Sequence, residues 1–334
     1  MLSSSQQSSS SSDLTMTVLG CGTMGIAILN GILTSLSDMK SPTPPLQTPS
    51  TSGTSTPDED LPQALPTRFI ACVRSDQSAK RIKAALSKHT AAVTVVQNDN
   101  VAAVEKAHIV LLACKPYMVE GVLQLPGMAQ ALRGKLLISV CAGVSVEQME
   151  KALYGSTVPE ENQRCLFVRA MCNTAALIRE SMTVIGISNP PLPPTAKTLV
   201  TWIFKRIGDV VYLPVSAMDA STALVGSAPA MFALMLEAAI DGAVAMGIPR
   251  AEAQKMATQA MRGTTGLVQS GEHPAILREK VCTPGGCTIG GLLVLEEGKT
   301  RGTISRAIRE ATCVASQLGK GAQGVNGTRF SPST

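Results

Sequence analysis

Hydrophobic residues follow two different periods along the first part of the chain. Short apolar runs predict buried strands, and stretches with helical spacing predict the helices between them. The predicted strands are residues 14–19, 69–73, 93–96, 108–113, 135–140, 165–168, 182–186 and 209–213. The predicted helices are 24–36, 76–88, 100–106, 146–154 and 195–207. This alternation predicts an α/β fold with a parallel sheet and helices on both faces.

Beyond Pro214 the strand pattern stops, and residues 218–246, 250–271, 289–297 and 303–318 show helical periodicity. We therefore expect an α/β domain over residues 13–214 and an all-helical domain over 215–320. Residues 1–12 and 37–66 are rich in Ser, Pro and Thr. Such composition predicts a disordered tail and a low-complexity insertion, and 321–334 is expected to be a second flexible tail.

Composition excludes several classes of partner. The longest apolar stretch, 223–236, is broken by Ser227 and Pro229, so no membrane-spanning helix is expected. The net charge of +5 suits small anionic ligands. The basic residues are dispersed apart from one modest group, and no nucleic-acid partner is expected. That group is Lys80, Arg81, Lys83 and Lys88.

Cysteine and histidine usage points to a reducing compartment without a metal centre. The nine cysteines form no Cys-x-x-Cys pair, and the three histidines are scattered, so no metal site is predicted. The N-terminal stretch has neither an apolar core nor arginines, unlike a secretory or mitochondrial signal. A cytoplasmic protein with free thiols is the expectation.

A glycine-rich turn follows the first predicted strand. Gly20, Gly22 and Gly25 have the spacing G-x-G-x-x-G, and this run opens the first predicted helix. With Thr23 and Met24 between them, they are the predicted cofactor-binding residues of the turn. In dinucleotide-binding folds the first glycine makes the tight turn, the second admits the pyrophosphate, and the third lets helix pack on strand. Free amides at the helix start face the phosphates. The pattern predicts a Rossmann-type dinucleotide site, with a plain structural turn as the alternative.

The second strand ends at Arg74 and Ser75, with no acid at the strand end itself. With the insertion set aside, Arg74 stands about 20 residues past the last glycine, where these folds place the residue that contacts the adenosine ribose. A basic residue there favours NADPH, whose 2′-phosphate it can hold, while NADH stays possible. The alternative is a solvated arginine at the end of a strand.

A second glycine-rich loop precedes one of the later helices. Thr283, Gly285, Gly286, Cys287 and Thr288 surround Pro284 in the run Thr-Pro-Gly-Gly-Cys-Thr. Exposed amides at a helix start can bind a carboxylate. The alternative is an ordinary capped turn, with Thr283 as the N-cap and Pro284 as the first helical residue.

Residues 281–297, from Val-Cys-Thr-Pro-Gly-Gly-Cys-Thr onward, resemble the signature of pyrroline-5-carboxylate reductases. Further matching segments are 111–116, 139–143, 169–174, 226–230 and 246–250. The resemblance extends from Val18 to about Leu318 apart from the insertion. It implies a Rossmann-type NADPH-binding domain and a C-terminal all-helical dimerisation domain, assembled as a homodimer or a higher homo-oligomer.

The resemblance also implies a reaction. NADPH would deliver hydride to the C5 imine carbon of 1-pyrroline-5-carboxylate, giving L-proline. The 283–288 loop of a partner subunit would hold the small-molecule substrate, with Thr283 near the carboxylate and Thr288, the catalytic candidate, near the ring nitrogen. Because a cyclic imine arrives largely protonated, the enzyme mainly positions and desolvates it.

Further cofactor contacts are implied by the same resemblance. Asn100 would contact the cofactor ribose, and Asn173 would lie under the nicotinamide. Ala113, Lys115 and Pro116 would line the loop on the nicotinamide side. For Lys115 the alternative is a surface lysine that happens to follow a strand.

Departures from the family pattern keep other functions open. Cys172, Ala175, Ala228 and Met231 stand where the family usually has Pro, Pro, Gly and Tyr. A diverged cyclic-imine reductase and a non-catalytic NADPH-binding paralogue are the alternatives. A β-hydroxyacid dehydrogenase is disfavoured, because that chemistry needs a general acid, usually a lysine, and residues 215–254 contain none.

Overall fold

The structure is a computed structural model that describes residues 13–40, 61–157 and 159–320, together with 322, 325, 327 and 328. The predicted tails at 1–12 and 321–334 and the centre of the insertion, 41–60, therefore lie wholly or largely outside the described residues. The strands are β1 (Leu14–Leu19), β2 (Pro66–Val73), β3 (Val93–Gln97), β4 (Ile109–Leu112), β5 (Leu136–Ser139), β6 (Leu166–Met171), β7 (Ser181–Ile187) and β8 (Gly208–Pro214). The helices among them are α1 (Thr23–Lys40), α2 (Asp76–Ala85), α3 (Asn100–Glu105), α4 (Val119–Leu123), α5 (Met128–Ala131), α6 (Val146–Tyr154) and α7 (Pro194–Lys205).

The eight strands form a single sheet in the order β3-β2-β1-β4-β5-β6-β7-β8. Neighbours from β3 to β6 run parallel, but β6 and β7 are antiparallel, so the prediction of a wholly parallel sheet is wrong there. The physical reason is the short link between them, which holds only a 3₁₀ turn at Thr174–Ile178. A parallel pair needs a crossover of about a dozen residues or more.

The first helix is longer than its pattern predicts. It continues to Lys40, so residues 37–40 belong to α1 and not to the insertion, whose other predicted end, Pro66, begins β2. Ser41 and Pro42, which follow Lys40, lie outside the described residues.

Short elements account for most other differences. Helices α4 and α5 lie between β4 and β5, and they are too brief to show a hydrophobic period. The predicted helix 76–88 stops at Ala85 and continues only as a 3₁₀ turn, Ser87–His89.

All elements beyond β8 in the described residues are helical. They are a 3₁₀ turn (Val215–Ala217), α8 (Met218–Ser221), a π-helical turn (Thr222–Ser227), α9 (Ala228–Ala245), α10 (Arg250–Gln269), α11 (Pro274–Val281), α12 (Cys287–Glu297) and α13 (Thr300–Gly319). Helix α11 was not predicted, and the π turn interrupts the single helix expected over 218–246. Pro229 has no N–H for the Val225 carbonyl, and the side chain of Asn173 donates to that carbonyl instead at 3.1 Å.

The two parts differ in burial. Helices pack on the sheet around fully buried residues such as Phe69 and Phe204. By contrast, α12 has no buried residue, although its composition is apolar. Within the described residues, Val215–Ala245 is the one helical stretch long and apolar enough to cross a membrane. Length and composition are weak grounds for a span.

Candidate functional site

The glycine turn after β1 has the geometry that its spacing predicts. Gly20 has φ +73°, and a Cβ there would lie 2.5 Å from the Cβ of Cys114, so only glycine fits. A Cβ at Gly25 would lie 3.0 Å from Val18, which keeps α1 close to β1. A Cβ at Gly22 would meet nothing nearer than 3.8 Å. The fold itself does not require glycine at this position, so the open space above Gly22 fits an approaching dinucleotide.

Backbone hydrogen bonds fix this turn at the carboxyl edge of the sheet. Cys21 N donates to Cys72 O at 3.0 Å, which ties the turn to the end of β2. Ala113 N donates to Leu19 O at 2.9 Å, so the end of β4 lies beside it. Thr23 and Met24 begin α1, and the first-turn amides of a helix have no acceptor within it. These amides are available to phosphate oxygens.

The residues predicted to contact the adenosine ribose lie between β2 and α2. Arg74 is exposed and directly follows β2. Ser75 is the N-cap of α2, and its Oγ accepts a hydrogen bond from Ser78 N at 3.3 Å. Ser75 therefore has a structural task, while the guanidinium of Arg74 is open to a ligand.

The predicted contacts beyond β3 and β4 share this edge of the sheet. Asn100 is the first residue of α3, and Ala113 directly follows β4. Lys115 is exposed and precedes a 3₁₀ turn that begins at Pro116. Ligands in open α/β sheets bind at the carboxyl ends of the strands, so the positions agree with a cofactor site.

Asn173, predicted to lie under the nicotinamide, has a fully engaged side chain. Its Nδ2 donates to Val225 O, and its Oδ1 accepts from Ala175 N, both at 3.1 Å. Its backbone N donates to Ser181 Oγ at 3.1 Å. The residue links the end of β6 to the π turn, and its role toward the cofactor stays a prediction.

A second link between sheet and helices escaped sequence reasoning. Arg169 on β6 is almost wholly buried and forms an ion pair with Asp219 of α8 at 3.3 Å. Hydrogen bonds, first of all that of Ser145, hold the pKa of Glu147 below its usual value, and the charge of Arg169 adds to this. Arg169 is four residues before Asn173, so β6 and the residues directly after it carry both links. The available signal was an arginine directly after the predicted strand 165–168.

The 283–288 loop joins α11 to α12 without a side-chain cap. Gly286 N donates to Thr283 O at 3.0 Å across a turn in which Gly285 has φ +68°. Gly286 is the N-cap, and α12 begins at Cys287. The capped-turn alternative, with Thr283 as N-cap, is therefore wrong. A Cβ at Gly286 would collide with Thr283 Oγ1, which keeps glycine at the cap.

This arrangement leaves the first-turn amides of α12 open. Cys287 is exposed and Thr288 is half-buried. Without a side-chain acceptor at the N-cap, the amides of both residues can bind an anion. Within the part of the chain that the structure describes, no hydrogen bond or ion pair joins this loop to the glycine turn or to Arg74. The predicted cofactor residues share one edge of the sheet, and the 283–288 loop has no such bond to them.

Two of the titratable groups near the glycine turn are thiols with shifted pKa values. Burial raises the pKa of Cys21 to about 12. A hydrogen bond from the Cys141 thiol holds the pKa of Cys114 below its usual value. His108 accepts from Thr15 N, and the side chain of His273 caps α11. Both histidines therefore have structural contacts, and the described residues hold no cluster suited to a metal ion.

Fold and site together define a nicotinamide-dinucleotide-dependent oxidoreductase with a separate helical part. The family model for pyrroline-5-carboxylate reductase dimerisation matches residues 216–318, and a model described as NADP oxidoreductase coenzyme F420-dependent matches 56–143. A pyrroline-5-carboxylate reductase of Lophium arboricola is 62% identical over 96% of this chain and 98% of its own length. One from Neurospora crassa is 54% identical over 97% and 98%. The chain belongs to the pyrroline-5-carboxylate reductase family.

Solved structures show the same fold. The pyrroline carboxylate reductase of Plasmodium falciparum, crystallised with NADP, superposes with a TM-score of 0.70 at 23% identity. The alignment covers 92% of this chain and 98% of that one. The 1-pyrroline-5-carboxylate reductase of Streptococcus pyogenes gives 0.70 at 24% identity, covering 92% and 99%.

Proposed function

We propose that this protein reduces 1-pyrroline-5-carboxylate to L-proline with NADPH as the hydride donor. The observation that carries the proposal is the pairing of two open sites in one chain. One is the glycine turn, with free space above Gly22. The other is the uncapped 283–288 loop. The first suits a dinucleotide and the second suits the carboxylate of a small substrate.

In this proposal, some residues of the chain bind the cofactor and others bind and position the substrate. The turn at Gly20, Gly22 and Gly25 binds the pyrophosphate, and Arg74 holds the 2′-phosphate. The cofactor supplies hydride to C5. The amides of Cys287 and Thr288 hold the substrate carboxylate. The Thr288 hydroxyl orients the ring nitrogen, which already carries its proton.

Assembly completes the site in this proposal. Helices α9 to α12 expose large apolar side chains, and an exposed apolar surface of this extent marks an interface. A second subunit covers it and brings its own 283–288 loop to the cofactor. The apolar stretch Val215–Ala245 then belongs to a subunit interface, and no membrane is needed to explain it. We place the protein in the cytoplasm, where its nine cysteines remain reduced.

The test is NADPH oxidation, followed at about 340 nm where reduced nicotinamide absorbs. Pyrroline-5-carboxylate is compared with a piperideine and with hydroxyacids, and NADPH with NADH. Fast turnover with pyrroline-5-carboxylate and NADPH is expected. Turnover of the piperideine alone would reject the proposed substrate and make Ala175, Ala228 and Met231 specificity determinants. Cofactor binding without turnover would indicate a non-catalytic paralogue.

A further inference from the structure

One arginine of the basic group Lys80, Arg81, Lys83 and Lys88 lies beside the glycine turn. Arg81 is in the second half of α2, which packs on the sheet through its buried neighbour Ile82. A Cβ built on Gly22 would lie 3.9 Å from Arg81 Nη2. The guanidinium therefore borders the open space above the second glycine.

No carboxylate among the described residues neutralises the charge of Arg81. Arg81 is exposed, and in the described part of the chain it makes neither an ion pair nor a side-chain hydrogen bond. Other surface arginines, such as Arg250 and Arg301, pair with carboxylates at 2.8 and 2.6 Å. The field of Arg81 extends to the turn. Burial and the neighbouring Cys72 raise the pKa of the Cys21 thiol, and the charge of Arg81 opposes them.

The chemistry of the space beside Arg81 identifies its ligand. In this fold the second glycine is where the backbone admits the pyrophosphate. The amides at the start of α1 offer only neutral donors and the end of a helix dipole. A guanidinium adds a full positive charge and a planar fork of donors that matches phosphate oxygens.

We propose that Arg81 binds the pyrophosphate of the dinucleotide cofactor. This inference rests on the proposed function, because it requires a dinucleotide at the glycine turn. Arg81 and Arg74 then have separate tasks at the same cofactor. Arg74 follows β2 and contacts the 2′-phosphate, which only NADPH carries. Arg81 lies over Gly22 and contacts the group that NADPH and NADH share.

The division of tasks predicts two different patterns of affinity. Arg81→Gln raises the Kd of NADPH and of NADH by a similar factor, about tenfold, the low end of what a hydrogen bond to a charged group contributes. Arg74→Gln raises the Kd of NADPH and leaves that of NADH nearly unchanged. Arg81→Lys keeps the charge but loses the fork, and its Kd values lie between those of wild type and Arg81→Gln.

The experiment titrates each cofactor into the full-length protein and follows nicotinamide fluorescence. Lys83→Gln is the matched control, because Lys83 is exposed on the same helix and loses the same charge. Its Kd values should equal those of wild type. Unchanged affinities in Arg81→Gln, or a loss as large in Lys83→Gln, would overturn the assignment. A loss confined to NADPH would instead place Arg81 at the 2′-phosphate and also overturn it. If wild type binds neither cofactor, the proposed function fails as well.

Discussion

The sheet part and the helices beyond it differ in how completely they bury their apolar residues. In the sheet part, apolar residues of the strands and of α1 and α7 are buried within one chain, including the single tryptophan, Trp202. In the helical part, α9 buries only Ala228 and Ile240, and α12 buries nothing. Leu234 and Met256 are 65% and 59% exposed. The first part is complete within one chain, and the second requires a partner.

This difference explains how the two halves of the proposed site are divided. The proposed cofactor residues lie on the complete part, at the edge of a sheet whose backbone hydrogen bonds fix their positions. The 283–288 loop lies on the incomplete part, where α12 packs mainly on α13. A site assembled across an interface is active only in the oligomer, whereas cofactor binding needs only the sheet.

The largest expected effect comes from charging the exposed apolar face. Leu234→Glu together with Met256→Glu should dissociate the oligomer, since an apolar contact is lost and a carboxylate would be buried without a partner. A loss of roughly 3 kcal/mol or more lowers association about a hundredfold or more. Turnover should fall in proportion while NADPH still binds. Size-exclusion chromatography with light scattering and a cofactor titration provide the measurements.

Met39→Glu is the control for that double variant. Met39 is 52% exposed but lies on α1 in the sheet part, and the same added charge should leave assembly and turnover unchanged. An oligomer that survives both glutamates in the helical part would contradict the proposed interface.

The second prediction separates the two half-sites. Thr288→Ala should lower kcat about tenfold to a hundredfold, as removal of a positioned donor does, and leave the Kd of NADPH unchanged. Thr288→Ser, which keeps the hydroxyl, should recover most of the activity. Gly22→Val should abolish cofactor binding with little loss of stability, because its side chain fills space that the protein leaves open. Turnover equal to wild type in Thr288→Ala would remove this residue from the mechanism.

Co-expression of Thr288→Ala with Gly22→Val tests whether the 283–288 loop of one subunit acts on the cofactor that the other subunit binds. In a mixed dimer, one site pairs the intact glycine turn of the Thr288→Ala subunit with the intact loop of the Gly22→Val subunit. Random pairing should restore about a quarter of wild-type activity if the loop acts on the partner's cofactor. No recovery on co-expression would place loop and cofactor of one site in the same chain.

The glycine turn and the strands could be predicted because their signals are local. The spacing of Gly20, Gly22 and Gly25 is enough to predict a dinucleotide-binding turn. Apolar runs identify each strand wherever it lies in the sheet. The position of Arg74 followed once the insertion was recognised. Nothing in these inferences depended on contacts between distant segments.

The remaining features depend on contacts between distant segments. At the π turn, Pro229 leaves Val225 O without a helical donor, and the bond that replaces it comes from Asn173, far away in the sequence. The direction of β7 follows from a link too short for a crossover. Arg81 looked like one of several surface charges until the fold brought α2 beside Gly22. Periodicity reports which residues are buried, and it does not report which segments meet.

The smallest expected effects come from two glycines, one in each part. Gly31→Ala on α1 places a Cβ 2.6 Å from Ile207 and 2.7 Å from the Arg206 carbonyl, and such overpacking costs about 1–3 kcal/mol. Gly263 on α10 has open space around it and shares a helix face with Met256 and Leu267.

Thermal unfolding at two protein concentrations, followed by Trp202 fluorescence, distinguishes the two positions. Gly31→Ala should lower Tm equally at both concentrations, because its contacts lie within one chain. In Gly263→Ala, helix propensity favours alanine by about 0.5–1 kcal/mol. Any decrease in Tm must therefore come from a contact with a partner subunit, and this decrease should become larger on dilution. A concentration-independent loss at Gly263 would show that the helical part is complete within one chain, and the contrast between the two parts would then be wrong.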